Sequence, residues 1–461
     1  MDHTAEKFVK YATALSSADL TPDAIHAVKR SVVDSIGCAY GTFNDEPLKA
    51  IRNLASQMSA VRPATIIGTE IKSVPDLAAF VNGGMIRYGD FSDDYFGLSG
   101  DNGPHPSDNI GGVLAATEWA GGDGNALVLG IALAYEACGQ ITDQCSMSAH
   151  GWNYSIHHSI ATSLGAGKVL GLSEEQMRHA LSLAVVPNIS LLQSRLGELS
   201  NWKGFAGPNG SRNGLFAALL AKEGITGPAE PFEGQAGFKK QLNQNFELGT
   251  FGGNGSRFKV EGTFFKYLPL NYSGQLPTGT ALELREKVKY QDIESICVYL
   301  VKRYAVARAH HAELWNPHSR ETADHSLPYQ IGAALVDGEI SAKTFTPERF
   351  RDPAILALVQ KIRLEPDEAY TAVFPQTFNC RFEVTLKSGE MITLHRINPK
   401  GHPSNPMSDK DLEEKFLKQA DCVLPKQQSR ALLDQLWRLE KLSDLKQLFA
   451  QMVVPARDRP V

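Results

Sequence analysis

Residues Cys380 to Arg396 read CRFEVTLKSGEMITLHR, and they decide that this chain is not purely helical. Phe382, Val384 and Leu386 alternate on one face, Ser388-Gly389 supplies turn residues, and a second short run follows, which is the pattern of a β-hairpin. Upstream, Ile293 to Val301 (IESICVYLV) reads as another strand, with helices expected at Thr278 to Lys287 and Ala323 to Val336. Strands and helices in one stretch make residues 266–402 an α+β domain. Beyond it the pattern returns to helices, at Asp409 to Gln419 and Lys426 to Gln451.

The N-terminal part is helical throughout. Thr21-Pro22 is an N-cap followed by proline at the first helical position, ahead of Ile25, Val28, Val32 and Ile36 at helical spacing. Ser73 is expected to open a helix through Leu77, Phe80 and Met85, and Pro63 to Gly68 to run extended. Ser107 or Asp108 starts another helix, Ser173 with Gln176 forms a capping box, and Gly224 follows a helix ending at Lys222. The expected fold class is mostly α: a large all-helical domain over residues 1–265, completed by 403–461, plus the smaller α+β domain.

The chain has 461 residues, too many for one simple core. Its net charge of -5 gives no basic footprint, which argues against nucleic acid as partner. No stretch is long and apolar enough to span a bilayer, and the N-terminus lacks a secretory apolar region, so a cytoplasmic protein is expected. The six cysteines show no metal-ligand spacing, so no metal is expected.

Three polar islands interrupt the helices. DFSDDYFGLSGDNGPHPSDNIGG, Asp90 to Gly112, combines Asp90, Asp93 and Asp94 with a glycine-rich loop and His105 held between two prolines. A histidine so restrained near acids suits proton transfer; an exposed loop histidine is the bland alternative. SNWKGFAGPNGSRNG carries Lys203 beside Trp202, which would partly desolvate it, before a helix expected from Asn213; Lys266 follows two phenylalanines in FFKYLP. WNPHSRETADHSLPYQIG is read as a helix start carrying Arg320, Asp324, His325 and Tyr329, where the adjacency of Asp324 and His325 argues against their forming a couple.

Taken with GWNYSIHHSIATSLGAGKVLGLS and KGHPSNPMSDKDLEEKF, these stretches resemble the MmgE/PrpD family along nearly the whole chain. The resemblance implies a helical domain built from both chain ends, an inserted lid domain with the pocket between them, homodimers, and chemistry without cofactors on small dicarboxylates or tricarboxylates. Its members include 2-methylcitrate dehydratases, cis-aconitate decarboxylases and an iminodisuccinate epimerase. By motif position it assigns catalytic roles to Asp90, His105, Lys203, Lys266 and Tyr329. Asp93, Asp94, Tyr154, Arg320 and Tyr272 are the expected substrate contacts. Three positions depart from the family pattern: Asp94 replaces a threonine, Asn153-Tyr154 stands where many members have a histidine, and Tyr272 takes another histidine's place. His157 and His158, a turn on, replace the lost group only in part.

Such chemistry builds charge on a carboxylate as an enediolate, which fixed cations stabilise. Lys203 and Lys266, with Arg320 as a third, are the expected cations; His105 and Tyr329 transfer protons, and Asp90 orients His105 or the substrate. Dehydration of a 2-methylcitrate-like hydroxy acid leads. Decarboxylation of cis-aconitate, or epimerisation of a related diacid, is the alternative within catalysis, and a polycarboxylate-binding pseudoenzyme the alternative outside it.

Overall fold

The computed structural model describes residues 2–98, 103–188, 190–309 and 311–455. Ser99 to Asn102, within the glycine-rich stretch of sequence, lie outside them. The chain is mostly α with a small α+β part, as its patterning predicts. It divides into two compact units: Met1–Ser194 with Gly204–Phe264 and Ser408–Val461, and Arg195–Lys203 with Phe265–Met407.

In the first unit the principal helices are α1 (His3–Ala14), α2 (Pro22–Gly41), α3 (Glu46–Ser56), α4 (Pro75–Arg87), α5 (Asp108–Ala120), α6 (Gly124–Gln144), α7 (Ser155–Val169), α8 (Glu174–Val185) and α9 (Ala206–Lys222). One apolar core runs through all of them, from Phe8 and Ile36 to Leu133, Ile160 and Leu215, and the C-terminal helices close it with Phe416 and Leu436. Thr21 caps α2 by accepting from the Ala24 amide, Ser173 and Gln176 form the capping box of α8, and Gly224 turns left-handed after α9.

Three boundaries differ from expectation. Ser73 belongs to the two-residue strand β2 (Lys72–Ser73), paired with β1 (Ala64–Thr65), and its hydroxyl donates to Ala55 O; Pro75 then starts α4. Helix α9 begins at Ala206, not Asn213, despite Gly207 and Gly210. A Cβ at Gly210 would stand 2.1 Å from Ser155 O, so the glycines that weaken the helical signal are what let α9 lie against α7. The long C-terminal helix is interrupted, running Lys426–Leu436 and then Lys446–Met452 after a single 3₁₀ turn.

The second unit is built on a four-stranded sheet ordered β4-β3-β5-β6, where β3 is Ile293–Val301, β4 Ile362–Asp367, β5 Asn379–Leu386 and β6 Met391–Ile397. Pairing is parallel for β3 with β4 and antiparallel elsewhere. Phe382 sits opposite Val298 on one side and Leu394 on the other, all three buried. Helix Tyr272–Arg285, which starts six residues before Thr278, packs on β5, β6 and helix Leu327–Asp337. The single helix expected at Ala323 to Val336 is broken. Helix Arg320–Ala323 stops, Ser326 caps a new helix by accepting from the Tyr329 amide, and Pro328 occupies its first turn, where its missing N–H costs nothing.

Candidate active site

In the first unit the acidic stretch folds inward. The end of α4 delivers Arg87, and the chain reverses at Asp90, whose φ of 51° is left-handed. Arg87 Nη1 donates to Asp90 Oδ1 at 2.6 Å, and both side chains are only 1% exposed. Burial disfavours the Arg87 charge, but Asp90, with Tyr154 and Asp108, outweighs it and holds the guanidinium above its ordinary pKa. The neighbouring acids part company. Asp93 turns into the unit's interior, accepting from the Ser107 amide at 3.0 Å and the Tyr135 hydroxyl at 2.8 Å, and burial pushes its carboxyl up to about 6. Asp94 is pinned by backbone bonds to Phe264 in both directions, with its carboxylate 3.8 Å from His105.

His105 is buried, and its backbone is held at both neighbours: Pro104 O accepts from Tyr95 N, and Pro106 O from Asn109 N. Its Nδ1 donates to the Asp93 carbonyl at 2.5 Å, which leaves Nε2 as the basic atom. His105 is oriented by Asp93 O and lies beside Asp94, while Asp90 Oδ1 pairs with Arg87. Tyr154, at the head of α7, stands edge-on to both His105 and His158 with ring centroids 5.8 Å apart in each case. His158 lies 3.3 Å from Asp108 in the interior, and His157 meets Thr142 at 3.3 Å.

In the second unit, residues 195–203 dock on the turn that follows helix Arg320–Ala323. Asn201 donates to Glu321 at 2.7 Å, and Lys203 Nζ reaches both Asp324 oxygens at 2.7 and 2.8 Å. Trp202, expected to desolvate Lys203, is 46% exposed, and the buried lysine pairs with Asp324. His325 Nδ1 donates to Asp324 Oδ1 at 2.5 Å. The expectation that neighbours in sequence would point apart fails here because the helix breaks after Ala323, leaving Asp324 and His325 on a turn. Asp324 is further fixed through its carbonyl oxygen, which accepts from Gln330 Nε2 at 2.7 Å and Asn271 N at 3.2 Å.

Lys266, Tyr272, Arg320 and Tyr329 also belong to this unit. Lys266 is completely buried. Tyr272, at the first position of its helix, packs its ring edge-on against Phe378. Arg320 is half-buried at the start of its short helix. Tyr329 donates its hydroxyl to Thr344 O at 2.5 Å with its ring against Phe345 and Phe350, and burial raises its pKa well above the ordinary phenol value. That placement engages the hydroxyl in the unit's core. Residue-level reading missed Arg87 and set aside the Asp324–His325 couple; Arg87, three residues before Asp90 at a helix end, was the available signal.

Residues 6–250 match the MmgE/PrpD N-terminal domain and residues 269–439 the MmgE/PrpD C-terminal domain. The chain is 28% identical to the mitochondrial 2-methylcitrate dehydratase of Yarrowia lipolytica, across 82% of this chain and 76% of that protein. It is 27% identical to the cis-aconitate decarboxylase of Homo sapiens, across 98% and 95%. Against the 2-methylcitrate dehydratase of Salmonella typhimurium the figures are 25%, 74% and 73%. With both halves of its sequence matched in order around the two sets of buried ionisable groups, the chain belongs to the MmgE/PrpD family.

Proposed function

We propose that this protein is a lyase acting on a small polycarboxylate of the citrate class, and that its reaction is dehydration of a 2-methylcitrate-like hydroxy acid. The observation that carries the reading is the burial of Lys203 and Lys266, 1% and 0% exposed. Lysine is almost never buried so completely, and a lyase of this class needs cations where an enediolate forms. Lys266 takes that role in the proposal, while Lys203 serves through Asp324. His105, with Nε2 as its basic atom, supplies a proton-transfer group. The names of the relatives point to citrate-like acids as substrates. The chemistry uses protein acids and bases alone, and we take the working form to be a homodimer.

Decarboxylation is the second reading, favoured by a similarity to the human cis-aconitate decarboxylase that spans nearly both chains. Incubation with 2-methylcitrate, citrate, cis-aconitate and iminodisuccinate separates the possibilities, following unsaturated product, CO2 and racemisation. Unsaturated product from a hydroxy acid is the expected result. CO2 from cis-aconitate without dehydration of either hydroxy acid would replace the leading reading by the second. Calorimetric binding of tricarboxylate with no turnover of any kind would point to a binding protein instead.

A further inference from the structure

We infer that His325 is a catalytic base, oriented by Asp324, with Lys203 as the counter-charge that fixes Asp324; the inference rests on the lyase reading above. Dehydration requires what decarboxylation does not, a base that removes a proton from the carbon next to a carboxylate. The second unit contains a group built for that task.

The arrangement is ordered by burial. The side chains of Lys203 and Asp324 are 1% and 3% exposed, whereas that of His325 is 22% exposed, so the charges lie inside and the imidazole reaches outward. The 2.5 Å bond from Nδ1 to Asp324 Oδ1 fixes the tautomer and leaves the lone pair on Nε2. Asp324 cannot swing away, because Lys203 Nζ holds both its carboxylate oxygens and two further donors hold its carbonyl. Lys203 is steadied in turn, its amide donating to Ser200 O at 3.0 Å. Lys203 Nζ lies against the Asp324 carboxylate as its counter-charge. When Nε2 takes a proton, the new imidazolium lies against the Asp324 carboxylate, which stabilises it.

The step balances without a co-reactant. Nε2 accepts the proton from the carbon beside the carboxylate, and the electron pair of that C–H bond forms the C=C bond. The C–O bond breaks, and the departing hydroxyl takes a second proton from solvent and leaves as water. Tyr329, the residue that motif position puts in a proton-transfer role, has its hydroxyl engaged by Thr344.

The experiment uses the full-length protein and the hydroxy acid that the wild type dehydrates. His325→Ala is expected to lower kcat by roughly 10²–10⁴-fold, with far-UV circular dichroism and melting unchanged and with partial recovery in added imidazole. Should that variant fail to fold, His325→Gln, which keeps an amide in place of the ring nitrogens, is measured in its stead, and the same loss of kcat is expected. A variant that keeps the wild-type rate overturns the assignment of His325 and leaves the lyase reading standing. Loss of rate in His325→Ala that imidazole does not restore assigns the residue a structural role and also overturns it. A wild type that turns over none of the four acids overturns the lyase reading, and the catalytic role of His325 falls with it.

Discussion

At the scale of single residues, burial separates groups that perform chemistry from groups that hold the fold. Tyr329 and Arg87 both lie inside, and their partners give opposite forecasts. The Tyr329 hydroxyl bonds one backbone carbonyl, so Tyr329→Phe should cost roughly 1–2 kcal/mol of stability, read from denaturant midpoints. Turnover by the folded variant should stay within about threefold of wild type, as befits a bond that is not part of proton transfer. Arg87 neutralises a carboxylate that is itself 1% exposed. Removing it in Arg87→Met takes away that buried counter-charge, and a loss of about 3–5 kcal/mol is expected. Arg87→Lys should recover part of that stability by restoring the charge without the planar fork. Equal stability of the methionine and lysine variants would show that packing, not charge, is what Arg87 contributes.

At the scale of elements, glycine decides where helices meet. On α9 a Cβ at Gly214 would lie 2.4 Å from Ser159 O and 2.9 Å from Ser163 N, both backbone atoms of α7. Gly214→Ala should therefore destabilise the protein by roughly 1–3 kcal/mol through overpacking. Gly279, inside helix Tyr272–Arg285, has nothing within 4 Å of its Cβ position, and Gly279→Ala should gain about 0.5–1 kcal/mol. The two melting shifts should have opposite signs. The same glycines show what was legible in the sequence. Phe382 and Val384 declared β5 because each strand residue reports its own face, and Thr21-Pro22 declared α2 because capping is local. Helix α9 hid its first two turns because close packing against α7, a contact distant in sequence, selected residues that are poor helix formers. The Asp324–His325 couple was illegible for a related reason. It depends on a helix break fixed by the Ser326 cap and Pro328, and on Lys203, which lies 121 residues away. His105 was easier to find, since its two prolines are its neighbours in the chain, but the partners of its ring were not.

At the scale of the whole molecule, the two units carry buried titratable groups that respond to acid in opposite directions. In the first unit burial lifts Asp93 from an ordinary 3.8 to about 6, and it raises Glu136 as well. Through these two groups the folded unit binds more protons between pH 4 and 6 than the unfolded chain, so their contribution to stability should fall as pH rises through that window and then level off. In the second unit burial lowers His402 from 6.5 to about 4, so here the unfolded chain binds the extra protons. Its contribution is fully present above pH 6.5 and is lost as pH falls toward 4. The Asp93 shift of about two pH units corresponds to about 3 kcal/mol. Asp93→Asn should therefore stabilise the first unit by up to that amount at pH 7 and leave it nearly unchanged at pH 4, because the neutral amide keeps an acceptor for the Ser107 amide and the Tyr135 hydroxyl can reverse its bond. His402→Gln should show the converse dependence in the second unit, flattening its loss of stability below pH 6.5. Amide hydrogen exchange, read for each unit at pH 4.5, 5.5 and 7, measures both slopes in one protein. A first unit whose protection rises from pH 4.5 to 7 would mean that the bonds from Ser107 and Tyr135 outweigh the burial of Asp93, and would reverse the sign argued for it.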